Sequence, residues 1–595
     1  MIDLASRERS VLEFAGLGGG VGELTWGQRF VWDILQALAP VNHYINVRLR
    51  VHLPTDASGE RVLDALRALV REHEILRTRF PVDEDGEPRQ QCDRAGELPV
   101  DLCQAEPGTV RKLADAEEER LWREPFQHDR EWPLRVSVVA AGGRPRQVVF
   151  VFSHLAVDAW GCGVLRTRFL DLLRTSGTAT TAALATATEP SGWQSRARAE
   201  FERSAPAREL NQRFAAHWQR FLDTAPQTAF PVSPEAGETP LFPGVGLHSV
   251  ALAAAVRALA VRLRVGPAAV LLGTASAFLG IRTDTGAVPL LLATGNRFSA
   301  SDAASVGTYY QVAPALIGLD AGSLADTIRA ADRTSKLSYL RGQGDPREVA
   351  RLVAETTVGR GVTIDMATTV NVVPEPDAAA AATLSVPEIR ELTGATRISE
   401  LEGRDSEQLK FYLHAKALRS RAIIELFCDS RYLDRSTARK VLAGLEQVLI
   451  EVLDAGDLDF GRVAELTGIR PLTRPEGSVL SDGCWVDPEA VRRMLIGVCG
   501  TTQAQVFVTE AEAHAGAEAE GAPARLVAYV VTDQPATPEQ LHDALIRRLD
   551  GNLTMTPHWY VLCRQAPARP ESRPEWLRQA VVAQGSGRID AHSGA

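Results

Sequence analysis

The chain of 595 residues is too long for one hydrophobic core, because single cores stop growing at roughly 250–300 residues, so we expect several domains. Hydrophobic residues make up 45% and charged residues 24% of the chain, which are ordinary proportions for a globular protein. The formal net charge of −10 argues against nucleic acid or an anionic membrane as a binding partner.

The cysteines and the apolar runs indicate where in the cell we expect the protein. Seven cysteines, odd in number and scattered, form no C-x-x-C pair and no other metal-ligand spacing. We therefore expect reduced thiols, no metal site and a cytoplasmic location. The N-terminus lacks the apolar stretch of a signal peptide, and no apolar run reaches the roughly 18 residues of a membrane span.

The first block, residues 1–178, alternates strand and helix patterns. We predict a strand at 44–51 and an amphipathic helix at 59–73. Two further strands, at 136–140 and 147–152, flank a pair of glycines and predict a hairpin. This alternation is typical of an α/β protein.

The most informative segment is the apolar run V-V-F-V-F at 148–152, which is followed by Ser153, by His154 and, four residues further on, by Asp158. The five residues of the run are all β-branched or aromatic, so we expect a fully buried strand with His154 at its end, where a cleft can reach it. An imidazole at such a position exchanges protons near neutral pH. A lone H-x-x-x-D pattern is more often a satisfied core histidine, so the rest of the chain has to decide.

The chain beyond this segment predicts a second α/β block. Apolar positions between 164 and 173 predict a helix, and the small, polar residues 176–183 predict a connection between two parts of the chain. The second block, residues 190–461, has a helix, a Gly-Pro breaker and another helix at 250–278. We interpret the two blocks as an α/β domain built twice.

Several segments, in the same order, resemble the condensation domains of nonribosomal peptide synthesis. The central motif of that family is H-H-x-x-x-D-G, and residues 153–159 read S-H-L-A-V-D-A. T-W-G-Q-R-F-V-W at 25–32 is similar to the family's S-x-A-Q-x-R-L-W, and R-E-H-E-I-L-R-T-R-F at 71–80 is similar to R-H-E-x-L-R-T-x-F. G-N-R at 295–297 and V-G-T-Y-Y-Q at 306–311 are similar to the family's N-R pair and its I-G-x-F-V-N-T segment.

The resemblance covers roughly residues 10–460 and implies a fold. It implies two chloramphenicol-acetyltransferase-like lobes in a V, an N-lobe at 1–178 and a C-lobe at 190–461, with a central tunnel between them. His154 would lie at the middle of that tunnel. The family assigns its chemistry to the second histidine of the motif, which is His154 here. Asp158 and Arg297 are expected to support the site as a pair that joins the two lobes.

The resemblance also implies an activity and its partners. A carrier protein would present an acyl or aminoacyl thioester on phosphopantetheine, and an amine or an alcohol, free or carrier-bound, would attack it. His154 would orient the nucleophile and accept or share its proton as general base; the resemblance also allows a mainly electrostatic role. We expect no metal and no dissociable cofactor in this chain, which must borrow the phosphopantetheine of a partner.

Further residues are expected to line or support the tunnel. Backbone amides near Trp160 and Gly161, at the start of the next helix, are expected to stabilise the oxyanion. The other expected residues are Ser153, Tyr309 and Gln311.

Three departures from the family pattern bear on substrate choice. Ser153 replaces the first histidine, Ala159 replaces the closing glycine, and Gln311 and Val312 stand where the family has Asn-Thr. Because His154 is retained, these changes leave the expected catalyst in place.

The third block, residues 480–583, resembles the small C-terminal subdomain of adenylation enzymes and is expected to be a small α+β domain after a linker at 466–483. That family has a lysine that orients an acyl-adenylate, and Arg573 stands at its apparent position. The large adenylate-binding core and its phosphate loop are missing from the sequence, so we expect a packing or interaction role and no amino-acid activation. The predicted elements are a helix opening at 485–491, strands at 504–508 and 525–531, and a helix at 538–549.

Three functions stay open at this point. The first is an acyl-transferring condensation enzyme of natural-product biosynthesis, which forms an amide or an ester. The second is a non-catalytic condensation-like module that recruits other enzymes. The third is an acyltransferase that uses coenzyme A thioesters. The retained His154 and Asp158 favour an enzyme.

Overall fold

A computed structural model groups the chain into two compact units. The first comprises the described residues of Met1–Gln212, Thr294–Gln311 and Gly342–Pro346, and the second those of Arg213–Ala293, Val312–Arg341 and Arg347–Ala595. Two short segments from the middle of the chain thus pack with the N-terminal residues. The predicted domain bounds stay a prediction, and the predicted connection at 176–183 lies outside the described residues. The structure describes residues 7–106, 108–175, 192–319, 322–373, 375, 384–405, 408–500, 503–510, 524–531, 536–549 and 553–588.

The helices of the described residues alternate with strands in both units, and several follow their predicted bounds. They are α1 (Trp26–Ala37), α2 (Gly59–Glu72), α3 (Val110–Arg123), α4 (Ala159–Thr175), α5 (Ser195–Glu202), α6 (Ala205–Thr224), α7 (Val250–Leu263), α8 (Pro267–Thr283), α9 (Ala300–Ala304), α10 (Leu324–Leu340), α11 (Pro346–Arg360), α12 (Val386–Leu392), α13 (Arg435–Ala455), α14 (Phe460–Thr467), α15 (Pro488–Cys499), α16 (Pro538–Ile546) and α17 (Arg573–Trp576). Within the described residues, none of these helices is both long and apolar enough to cross a membrane.

The strands of the first unit form a five-stranded and a three-stranded sheet among the described residues. They are β1 (Arg7–Ala15), β2 (Gly20–Glu23), β3 (Val47–His52), β4 (Thr78–Arg79), β5 (Arg89–Cys92), β6 (Ala95–Ala105), β7 (Leu134–Ala141) and β8 (Arg144–Phe152). The larger sheet has the order β1-β6-β7-β8-β3, and the smaller has the order β2-β5-β4. β6 and β7 run parallel, and the other neighbours in the larger sheet run antiparallel.

The predicted hairpin is confirmed by β7 and β8. Gly142 and Gly143 connect the two strands with φ of 59° and 71°, values that glycine adopts without strain and that suit a tight hairpin turn. The residues 148–152 of β8 are at most 1% exposed. Phe150 packs edge-on against Phe169 of α4, and Val149 and Val151 pack in a cluster with residues of α3. Both faces of the strand are therefore covered, as the continuous apolar run predicts.

The strand predicted at 44–51 begins later than expected. A 3₁₀ turn occupies Asn42–Ile45, and β3 starts at Val47. The helix predicted at 59–73 is confirmed as α2, which Ser58 caps by accepting the amide hydrogen of Arg61.

The second unit is built around a seven-stranded sheet of described strands. These are β9 (Phe242–Ser249), β10 (Ala287–Thr294), β11 (Gln311–Gly318), β12 (Thr368–Val372), β13 (Arg397–Arg404), β14 (Phe411–Ala417) and β15 (Ala422–Cys428). Their order is β11-β10-β12-β14-β15-β9-β13. The helix pair predicted at 250–278 is confirmed as α7 and α8, with Gly266 as N-cap and Pro267 at the first turn of α8, where its fixed φ suits a helix start.

The C-terminal part of the second unit holds a strand pair and a four-stranded sheet. The pair is β16 (Val479–Ser481) with β17 (Cys484–Val486), and the sheet has the order β18-β19-β20-β21, with β18 (Ala504–Glu510), β19 (Ala524–Val531), β20 (Trp559–Cys563) and β21 (Val581–Gly585). The linker predicted at 466–483 is wrong at both ends, because α14 extends to Thr467 and β16 begins at Val479. The strands predicted at 504–508 and 525–531 are confirmed. The helix predicted to open at 485–491 begins only at Pro488, because Trp485 belongs to β17, and the helix predicted at 538–549 ends at Ile546. The likeness of this part to an adenylation subdomain stays a prediction.

Backbone and side-chain hydrogen bonds fix this C-terminal part to the rest of the second unit. The Thr556 amide donates to the Gly361 carbonyl at 2.8 Å, and the Gln227 side-chain amide donates to the Thr554 carbonyl at 2.7 Å. The Arg360 guanidinium donates to the Asp482 carbonyl at 3.0 Å. These contacts join a loop, a helix end and a hairpin, so the C-terminal part has a defined position within its unit.

Candidate active site

His154 lies in a tight turn between β8 and α4. The Ser153 carbonyl accepts the amides of Ala156 and Val157 at 3.0 and 3.2 Å, and the Cys162 amide donates to the Asp158 carbonyl at 3.0 Å. Of the described turn residues 153–158, only His154 is not buried. The turn therefore buries its apolar side chains, and His154 alone keeps partial exposure at the strand end.

The surroundings of His154 favour the neutral form of its imidazole. Burial of the ring lowers the pKa of His154, while its own backbone carbonyl and the Asp158 carboxylate oppose that shift. The Thr308 hydroxyl lies 3.5 Å from Nδ1, and the Tyr310 ring lies 5.3 Å away between centroids. The Thr308 hydroxyl thus stands at Nδ1, and Nε2 is left as the nitrogen that can meet a bound group.

Asp158 and Arg297 form a buried ion pair. Nη2 of Arg297 lies 2.8 and 2.9 Å from the two carboxylate oxygens of Asp158, and the side chains are 4% and 7% exposed. The amides of Gly161 and Tyr309 donate to the same carboxylate at 2.7 and 3.0 Å. Arg297 also donates to the Gly307 carbonyl at 3.2 Å. Both partners belong to the first unit, whereas the resemblance places the pair across two lobes.

The Gly161 amide has a different function from the one predicted. Because it donates to Asp158 at 2.7 Å, this amide is not available to an oxyanion, and the expectation for Gly161 is corrected on that ground. Trp160 is 43% exposed, and its indole nitrogen donates to the Ala303 carbonyl at 2.9 Å. The indole thus ties the start of α4 to α9.

Tyr309 and Gln311 are buried supports of the segment that faces His154. The Tyr309 ring lies near two guanidinium groups. Cζ of Arg297 is 4.3 Å and Cζ of Arg198 is 5.2 Å from the ring centroid. The Gln311 side chain donates to the Gly344 carbonyl at 2.7 Å and accepts from the Asn296 side chain at 3.2 Å. Both residues are buried, and these contacts fix the loop that carries Thr308.

Sequence reasoning missed a buried charged network beside this segment. Arg198 donates to Glu202 at 3.0 Å and to Asp302 at 2.9 Å, and Glu202 accepts the Trp26 amide at 2.7 Å. Burial raises the pKa of Glu202 to about 7, against the opposing effects of Arg198 and the Trp26 amide. The spacing of Arg198 and Glu202 on one helix face is a signal in the sequence, but Asp302 gives none.

The network borders a small polar cavity that reaches Thr308, whose hydroxyl lies beside His154. A methyl group at Gly27 would clash with the Thr308 carbonyl oxygen, so α1 approaches the Thr308 segment as closely as glycine allows. The cavity therefore connects the start of α1, the charged network and the loop that contacts His154. It is lined by Thr25, Gly27, Arg198, Glu202, Thr308, Tyr309, Gln311 and Gln343.

Two other kinds of chemistry find little support in the described residues. Burial raises the pKa of the Cys162 thiol, so this cysteine near the motif is not a thiolate nucleophile. Over the ranges that the structure covers, no three His, Cys, Asp or Glu side chains gather as a metal site. A neutral imidazole backed by a satisfied ion pair is an arrangement suited to general base catalysis.

Comparison with known proteins identifies the family and the fold. A family model described as Condensation domain matches residues 21–334, more than half of the chain. The phosphinothricin tripeptide synthetase PhsC of Streptomyces viridochromogenes is 31% identical over 169 residues, which are 27% of this chain and 15% of that protein. The chain thus matches less than a sixth of the length of that curated relative.

Two solved structures share the fold. The condensation domain that mediates chain release from the enacyloxin polyketide synthase has a TM-score of 0.56 and 20% identity, over 78% of this chain and 85% of that one. An X-domain from teicoplanin biosynthesis, solved in complex with OxyB, has a TM-score of 0.55 and 16% identity, over 77% and 98%. The predicted α/β fold of the chloramphenicol acetyltransferase type is confirmed by these neighbours.

Proposed function

Because the chain belongs to the condensation-domain family, whose members are acyltransferase-type enzymes, we propose that it joins a carrier-bound acyl or aminoacyl thioester to an amine or alcohol. The product is an amide or an ester of natural-product biosynthesis. The observation that carries the proposal is the place of His154, which is the only residue of the described turn 153–158 that is not buried and which follows a buried strand. Burial lowers its pKa, which favours the neutral imidazole. A neutral imidazole accepts a proton without first losing one.

The chemistry follows from that state. The nucleophilic nitrogen or oxygen of the acceptor attacks the thioester carbonyl, and Nε2 of His154 takes the proton that the nucleophile loses. The carbon–sulfur bond then breaks. His154 returns the proton to the leaving sulfur, and the carrier's phosphopantetheine leaves as the thiol. A positioned base contributes about 10²- to 10⁴-fold to such a step. The oxyanion needs a donor other than the Gly161 amide, which is already engaged.

Asp158 and Arg297 act on the geometry of the site. Their ion pair anchors the start of α4 through Gly161 and the Thr308 segment through Tyr309. His154 comes shortly before the first of these segments in the chain, and its ring lies near Thr308 and Tyr310 of the second. We assign both charged residues as positioning residues, because neither contacts the reacting atoms in this proposal.

The test compares two donors, a carrier protein and coenzyme A, for each acyl group. The purified chain is incubated with a panel of acyl and aminoacyl groups, each loaded on a carrier protein or on coenzyme A, together with amine and alcohol acceptors. Mass spectrometry of the products should show transfer from the carrier-bound donor. Transfer from coenzyme A alone would favour a coenzyme A-dependent acyltransferase instead.

A second candidate is a recruitment module without chemistry. The fold likeness to an X-domain that was solved in complex with OxyB supports it, as do the departures at Ser153 and Ala159. The discriminating outcome is stable binding of a second biosynthetic enzyme together with no transfer from any donor. We favour the enzyme because the proton-accepting nitrogen and its supports are all present.

A further inference from the structure

The serine that replaces the first histidine of the motif is hydrogen-bonded to another histidine. Ser153 Oγ lies 2.7 Å from Nε2 of His128 and accepts the Leu155 amide at 3.2 Å. An amide can only donate, so Oγ is the acceptor in that bond and its hydroxyl hydrogen is free to point at His128. Among the described contacts of this buried hydroxyl, Nε2 of His128 is the one group that can accept its hydrogen, so we assign Nε2 as the acceptor and the ring proton to Nδ1.

The surroundings of His128 keep it in this accepting form. Burial, together with the charge of Arg135, lowers the pKa of His128 to about 4, while Asp129 opposes that shift. The aromatic rings of Trp32, Phe80 and Phe126 lie 6.1 to 6.5 Å from the imidazole, between centroids. A neutral, accepting His128 is thus expected at neutral pH.

Ser153 joins His128 to the turn that presents His154. Its side chain accepts a hydrogen bond from the Leu155 amide, and its carbonyl accepts hydrogen bonds from the amides of Ala156 and Val157. Ser153 is fully buried, so its hydroxyl has few other partners to adopt. The orientation of this hydroxyl, and with it the turn that ends at Asp158, depends on the acceptor that His128 supplies.

We propose that His128 is a positioning residue for His154, which acts through the hydroxyl of Ser153. The inference rests on the proposed function, because it assumes that His154 is the base. His128 has no contact with the reacting atoms in this scheme. It supplies one fixed hydrogen-bond acceptor at the position next to the catalyst and so makes up for the departure from the family's His-His pair.

Four variants and one control test the kinetics. His128→Phe and Ser153→Ala should each lower kcat about 10- to 100-fold with KM for the loaded carrier nearly unchanged, because a misplacement on the order of 1 Å costs about 100-fold. His128→Gln, which can still accept a hydrogen bond, should restore most of the rate. The double variant should be no slower than either single one, because both break the same bond. The control is His52→Phe, at an exposed histidine of β3, which should leave kcat unchanged.

A second measurement is independent of turnover. Nitrogen-15 spectra of the histidine rings, assigned with the variants, should show His128 as the Nδ1-protonated tautomer from about pH 6 to about pH 8. A proton on Nε2 of His128 would overturn the proposal even if no substrate were known. Wild-type kcat in a folded His128→Phe variant, or additive losses in the double variant, would overturn it as well. Failure of transfer by the wild-type chain would count against the proposed function and would leave the tautomer result valid.

Discussion

One nitrogen of Arg297, Nη2, contacts both carboxylate oxygens of Asp158, at 2.8 and 2.9 Å, in the interior of the first unit. Removing one partner of such a pair leaves the other charge buried and unpaired, which costs about 3–5 kcal/mol. Asp158→Ala should therefore lower the melting temperature and the soluble yield before it shows a clean kinetic defect. Thermal unfolding followed by circular dichroism gives the measurement.

The control for that variant is Asp171→Ala. Asp171 pairs with Arg174 on α4, and both side chains are about half exposed or more, so the loss should stay within about 0.5 kcal/mol. A stable Asp158→Ala protein with a selective loss of activity would contradict the predicted contribution of the ion pair to the stability of the fold.

Glu202 should make stability depend on pH. Burial raises its pKa from 4.5 to about 7 in the folded state, so between those values the folded state keeps a proton that the unfolded state has released. The contribution of this group to stability is therefore present below about pH 4.5 and is lost as pH rises to about 7, by roughly 3 kcal/mol at most. Urea unfolding at several pH values should show wild type losing stability relative to Glu202→Gln as pH rises.

The matched control for this prediction is Glu465→Gln, which changes a largely exposed carboxylate on α14. Its difference from wild type should be flat with pH. If the Glu202→Gln difference were equally flat, the raised pKa would be wrong.

Gly361 should be intolerant of a side chain. Its φ is +67°, and a methyl group there would overlap Oγ1 of Thr556 in the C-terminal part. Gly361→Ala should cost more than Gly468→Ala, which has φ of +63° and open space around it. Backbone strain alone costs about 1–3 kcal/mol at either position, so the excess measures the contact with Thr556. Equal losses of unfolding free energy in the two variants would show that this contact is not tight.

The C-terminal part should not activate amino acids. Activation needs a phosphate-binding core and a carboxylate-orienting lysine, and the sequence has Arg573 at the apparent lysine position, where a planar guanidinium differs from a point charge. We expect no exchange of pyrophosphate into ATP with any amino acid. The positive control is an intact adenylation enzyme, and exchange catalysed by the purified chain would overturn this interpretation.

Local patterns predicted the frame of the site, and long-range packing completed it. The apolar run at 148–152 predicts β8 and the position of His154, because a strand that is buried on both faces has consecutive apolar residues. The resemblance supplied Arg297, which lies 139 residues from Asp158 in the chain. No sequence pattern points to His128 or Asp302. Their roles come from hydrogen bonds to Ser153 and Arg198 that form only in the folded chain. The Gly161 amide was misassigned because its bond to Asp158 is likewise invisible in a motif.

The most direct test of the account is the rate of His154→Ala in transfer from a loaded carrier protein. We expect a loss of about 10²- to 10⁴-fold in kcat with an unchanged melting temperature, because His154 is the only residue of the described turn 153–158 that is not buried. In the wild type, the acid limb of the pH profile should fall below pH 6.5, the ordinary value for histidine, since burial lowers the pKa of His154. A folded His154→Ala protein that forms product at the wild-type rate would contradict the central claim that His154 is the catalytic base.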